Sequence, residues 1–195
     1  MGEDGSHRIR AEPWEWGLLG VVVVFLIALY VTLYVPRYQE RQRTQQFKAD
    51  AEQAIITLEK VAAAVEVGVR RTEYSSRLVD AKAEVGRFLS RWPDARIRSQ
   101  RADSLKRTVT RALNEFVEAG STWDVLNRAR EDYEYSERSG FYSRIAISID
   151  GKTLTEEEAL ERDRQTVHFW QDSLNKEWAR AVDLVKEARK QVNEY

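Results

Sequence analysis

The chain has 195 residues, 32% of them charged, with 31 Lys/Arg against 32 Asp/Glu and a formal net charge of −1. Three prolines and nine glycines are too few for a disordered chain or a turn-rich β fold, and so even a charge balance excludes a global basic field for nucleic acid. With no cysteine, a thiol nucleophile is excluded, and His7 and His168, in unrelated regions, leave little from which to build a zinc site.

Residues 1–15 read as an N-terminal tail. Residues 16–36, WGLLGVVVVFLIALYVTLYVP, carry no charge. Twenty residues at about 1.5 Å rise reach roughly 30 Å, the thickness of a bilayer's hydrocarbon core, so this stretch predicts a transmembrane helix. It exceeds the roughly 7–15 apolar residues of a secretory signal. It also ends Thr32-Leu33-Tyr34-Val35-Pro36-Arg37, without a small-residue cleavage site. Trp14 and Trp16 at one end, and Tyr34, Arg37 and Tyr38 at the other, are the expected membrane-interface residues, because amphipathic rings and cations favour that layer. Gly17 and Gly20 are three apart and do not form a GxxxG pair. Pro36 marks the expected exit from the span, with a helix able to restart at Arg37.

Arg8 and Arg10 precede the span, while Arg37, Arg41 and Arg43 follow it, a slight bias toward a cytoplasmic C-terminal domain. Long domains translocate largely regardless of so small a bias, and a single N-terminal anchor followed by a large domain commonly exports it. The expectation is therefore an exported domain.

Residues 37–195 are expected to form one extramembrane helical domain. Phe47, Ala51, Ile55, Leu58, Val61, Val65 and Val69 recur at steps of three and four, one face of a long helix. The stripe loses phase around Gly68 to Ser76 and resumes at Leu78, Ala81, Val85, Leu89 and Trp92, before Pro93. A break near residues 68–72 follows, and an end at Trp92, since the position before proline disfavours helix. A second long helix is predicted from about Arg101 to Glu137 on Leu105, Val109, Ala112, Phe116, Ala119, Trp123 and Leu126, with Gly120 a site of local irregularity and Gly140 a stop.

Residues 141–153 break the helical pattern. Ile145, Ile147 and Ile149 alternate and Asp150-Gly151 signals a turn, so a short extended segment is expected near 144–150, lacking an evident partner strand. The last helix opens on Thr155 and Glu158, a capping box, with Glu156 to Glu158 in its first turn. From Val167 through Trp170, Leu174, Trp178, Ala181, Val185 and Ala188 to Val192 its stripe is heptad-like. The fold class is all-α: one N-terminal transmembrane helix, then a long-helix bundle or antiparallel coiled coil.

The chemistry-bearing motifs are weak. Gly151-Lys152-Thr153 ends like a phosphate loop, but Ala146 stands where its glycine belongs. The same turn aligned as a calcium loop puts Ala146 and Ser148 at two ligand places and loses two oxygen donors. No nucleophile elbow accompanies His168. Trp123, Trp170 and Trp178 sit on helical stripes, where core packing is the expected role and a ligand or pigment contact the alternative. No catalytic residue, cofactor or metal site is expected.

Charge is segregated. Residues 87–111 hold Arg87, Arg91, Arg96, Arg98, Arg101, Lys106, Arg107 and Arg111 against Asp94 and Asp103, and residues 131–163 hold ten acids against four bases. Either the two blocks face each other and set the bundle's pairing, or the basic one, through Arg87, Arg91, Arg96, Arg98, Arg101 and Arg107, meets anionic lipid or an acidic partner. Tyr133, Tyr135, Phe141 and Tyr142 make a candidate protein interface.

The features Glu66-Val67-Gly68-Val69, Tyr74-Ser75, Asp80-Ala81-Lys82 and Ala119-Gly120 with Trp123, over roughly residues 60–126, resemble a helical-hairpin pattern of uncharacterised bacterial envelope proteins. The resemblance implies an exported bacterial helical domain and carries no activity or site residue. The sequence is thus read as a single-pass protein of the bacterial inner (cytoplasmic) membrane, its C-terminal domain periplasmic rather than cytoplasmic. Its expected role is a non-enzymatic accessory or structural subunit of a larger membrane complex, of bioenergetic or photosynthetic type among the options. Its partners are membrane lipid and other membrane-protein subunits, not nucleic acid, and a homo-oligomer stays open. The alternative is a membrane-anchored sensor or adaptor that binds a ligand or peptide.

Overall fold

In a computed structural model the described residues are 13–93, 99–142, 147–149 and 152–195; side chains are described for these except 13–20, Leu33, Pro36, 147–149 and Lys152. The elements in order are α1 (Pro13–Val67), α2 (Arg71–Arg91), α3 (Gln100–Ser139), β1 (Ile147–Ile149), β2 (Lys152–Leu154) and α4 (Glu156–Asn193). The chain is all-α, with a long N-terminal helix and a helical bundle, and divides into two compact units, Met1–Gln46 and Phe47–Tyr195.

In the first unit α1 is long and apolar enough to cross a membrane, and its apolar window is not buried in the fold. The helix runs on through Pro36 instead of restarting at Arg37. Proline there supplies no N–H to the Thr32 carbonyl. One turn earlier the Thr32 hydroxyl donates to the Ala28 carbonyl at 2.7 Å.

In the second unit the apolar stripes meet in one core. α1 contributes Phe47, Ala51, Ile55, Leu58 and Val61, and α2 contributes Tyr74, Leu78, Ala81, Val85 and Phe88. Leu105, Val109, Ala112 and Phe116 come from α3; Ala181, Leu184, Val185, Ala188 and Val192 come from α4. Hydrogen bonds fix the directions. Asp50 accepts from Trp92 while the Lys60 carbonyl accepts from Arg77, so α1 and α2 are antiparallel. Ser104–Gln191, Thr122–Glu177 and Tyr142–Asp163 make α3 and α4 antiparallel along their length. Arg71 meets Asp124 and Tyr74 meets Phe116, so α2 reaches only the middle of α3. Beyond that level α3 and α4 continue together over a smaller cluster of Ala119, Leu126 and Leu174.

The breaks follow backbone chemistry. Gly68 takes φ +74°, the left-handed conformation that ends a helix, and the Val69 N–H reaches back to the Ala64 carbonyl at 3.1 Å. Gly140 ends α3 in the same conformation, φ +57°. Thr155 and Glu158 form the capping box at the start of α4. Three details differ from the sequence reading. Phe88 is buried more deeply than Leu89, which packs against the core only in part. α3 passes Gly120 unbroken. The extended segment is not alone: β1 pairs antiparallel with β2, Ile147 opposite Leu154 and Ile149 opposite Lys152. The partner strand, Lys152–Leu154, has a single large apolar residue and so shows no alternation of its own.

Candidate functional site

The interface residues of the first unit stand out from the helix. Tyr34, Arg37 and Tyr38 are exposed, and Tyr30 and Tyr34 stack one turn apart with ring centroids 5.3 Å apart. The side chains of Trp14 and Trp16 lie outside those described. From Val21 to Leu26 every residue is an exposed aliphatic or phenylalanine, an arrangement that water disfavours.

The basic residues are not one surface. Arg87 pairs with Glu84 on its own helix at 2.7 Å, and Arg91 reaches Asp50 of α1 at 3.1 Å. Lys106 pairs with Asp103 at 3.1 Å. Arg101, Arg107 and Arg111 are exposed; Arg96 and Arg98 lie outside the described residues. The antiparallel pairing of α3 and α4, Ser104 with Gln191 and Tyr142 with Asp163, sets the two blocks toward opposite ends of the pair, so the reading in which they face each other is corrected. The reason is the length of α3. It carries the basic block at its start and part of the acidic block at its end, so its 40 residues hold the two apart by up to about 60 Å.

The aromatic set is partly assembled. Phe141 lies 6.2 Å from Tyr135 and 5.4 Å from Tyr142, centroid to centroid. Tyr142 donates to Asp163 of α4 at 2.5 Å, and burial foremost, then that acceptor, raises its hydroxyl pKa. Tyr133 instead faces Glu137 and the first turn of α4.

The most elaborate constellation was missed in the sequence. Tyr74 is fully buried and donates to the Phe116 carbonyl at 2.5 Å. Trp123 and Trp178 pack around it, 5.4 and 6.3 Å away, and stand edge-on to each other at 5.2 Å. Arg71 lies 5.7 Å over the Tyr74 ring and 6.0 Å over the Trp123 ring. Its guanidinium holds Asp124 through two 2.9 Å bonds, and it also donates to Ser75 and, at 3.3 Å, to the Gly120 carbonyl. That hydrogen bond from Arg71 holds the Asp124 carboxyl below the usual range. Burial pushes the Tyr74 hydroxyl up to about 12. Trp178 Nε1 is buried, with no hydrogen bond of good geometry, yet close enough to Tyr74 to moderate that rise.

Gly120 explains part of this closeness. A Cβ there would meet Tyr74 Cε1 at 3.4 Å and Arg71 Nη2 at 3.7 Å. The cluster joins α2, α3 and α4, with its cation already engaged by Asp124; its chemistry is that of a clamp. Trp123 and Trp178 pack against the core, as their stripe positions imply. Among the described residues no group of three or more His, Asp or Glu is placed to hold a metal. No family model, curated protein or solved structure matches the chain.

Proposed function

We propose that the chain is a single-pass, membrane-anchored helical subunit that docks on and stabilises a larger membrane complex, without catalysis of its own. The carrying observation is the run from Val21 to Val31. It is helical, apolar and exposed, and none of the described residues buries it. Five valines, with Phe25, Leu26, Ile27 and Leu29, left in water would forfeit on the order of 10 kcal/mol of burial free energy, so lipid is their natural solvent. Tyr30, Tyr34 and Tyr38 on one edge and Arg37 and Arg41 beyond support an interface at that end. On this reading the second unit lies outside a bacterial inner membrane, on the periplasmic side. The exposed Tyr135 and Phe141 near the α3 turn are its protein-facing surface.

Alkaline carbonate extraction of source membranes tests the anchor. The chain stays in the pellet, and Leu26→Arg with Ile27→Arg shifts it to the supernatant, because a cation at mid-span costs about 2.5–3.5 kcal/mol. Release of the unsubstituted chain by carbonate would contradict the reading.

A further inference from the structure

A groove of about 510 Å³ lies where the end of α2 meets the first half of α3. Leu89, Trp92 and Pro93 give it an apolar wall, and Arg107 and Arg111 line it from α3. Trp92 is fixed in place: its indole N–H donates to Asp50 at 2.7 Å and its ring stands edge-on to Phe47 at 5.6 Å. Arg107 and Arg111 are one turn apart and exposed, and neither has a carboxylate partner among the described residues. Two like charges at this spacing repel, so an anion placed between them would stabilise the pair.

We propose that this groove holds the phosphate headgroup of an anionic membrane lipid. Arg107 and Arg111 take the phosphate, and Leu89, Trp92 and Pro93 lie against the glycerol and upper acyl carbons. The inference rests on the anchored reading. Two guanidiniums match phosphate oxygens bidentately, and the adjoining apolar wall suits an amphiphile better than a free ion or a hydrated carboxylate.

The test uses the purified full chain in mild detergent, titrated with phosphatidylglycerol or phosphatidylcholine, with bound lipid counted by native mass spectrometry. Phosphatidylglycerol is expected to be preferred. Arg107→Gln with Arg111→Gln is expected to weaken it roughly fivefold per arginine, about 25-fold for the pair. Arg162→Gln with Lys176→Gln, which removes the same charge from the exposed surface of α4, leaves binding unchanged, and circular dichroism confirms that each variant is folded. Equal binding of the two lipids, or equal loss in both double variants, would overturn the proposal. So would displacement of the lipid by millimolar inorganic phosphate, which would assign a free-anion site, or arginine-dependent retention of an acidic protein in the lipid's place. Carbonate extraction separates the two failures: a chain that stays anchored but shows no lipid preference loses only the groove.

Discussion

Tyr74 carries a pH dependence that belongs to one hydroxyl. Its pKa is raised from 10.0 to about 12 in the folded chain, chiefly by burial, so between those values the folded chain binds a proton that the unfolded chain has released. The stability it contributes is complete below pH 10 and falls as pH rises toward 12, by roughly 1.4 kcal/mol per pH unit. Tyr142 and Tyr195 are shifted in the same direction, so the Tyr74 share is isolated by substitution. Tyr74→Phe is expected to cost about 1 kcal/mol at neutral pH, for the lost hydrogen bond to Phe116, and to flatten the alkaline loss. Urea unfolding at pH values near 9 and 11 checks this; equal alkaline loss in both proteins would contradict it. The residue was illegible in the sequence because it falls where the stripe loses phase, and because nothing local shows that Gly120, 46 positions on, opens space for it. Arg71 and Asp124 were illegible for the same reason: their pairing is made by the crossing of α2 and α3.

At the scale of the element, what periodicity and capping encode was readable. The stripes of α1, α3 and α4 point into the core, and the capping box of α4 forms. Gly68 and Gly140 end helices where their left-handed conformation is needed. Pairing was less readable. The β1–β2 contact depends on two three-residue strands either side of Asp150-Gly151. Among the candidate site residues, exposure of Tyr34, Tyr38 and Arg107 follows from their place away from the stripes, whereas the engagement of Arg87 and Arg91 by Glu84 and Asp50 does not. The second half of α1 is an integral member of the bundle, since Phe47 touches Phe88, Trp92 and Tyr195 with centroids 5.4, 5.6 and 5.5 Å away. Phe47→Ala is expected to cost about 3–5 kcal/mol, and so to lower the thermal midpoint by more than about 6 °C. A thermal melt of the full chain followed by circular dichroism checks it; a shift of a degree or two would place Phe47 outside the core.

At the scale of the molecule, the second unit is polar along its length. Its basic groove lies where the end of α2 meets the first half of α3, and its acids gather toward the tip shared by α3 and α4. Such a polarity suits a domain with two different neighbours, an anionic surface at one end and a cationic or aromatic-binding protein surface at the other. Tyr135, Phe141 and Phe169, exposed on the distal part of the α3–α4 pair, are the apolar side chains such a protein would cover. A structural subunit of this kind needs its partners to be present when it is isolated gently. The most direct measurement is therefore native-gel sizing with mass spectrometry of the chain after mild detergent extraction from its source membrane. The account predicts co-migration with a large complex whose other members are membrane proteins. Migration as a free monomer, with no partner retained, would contradict it.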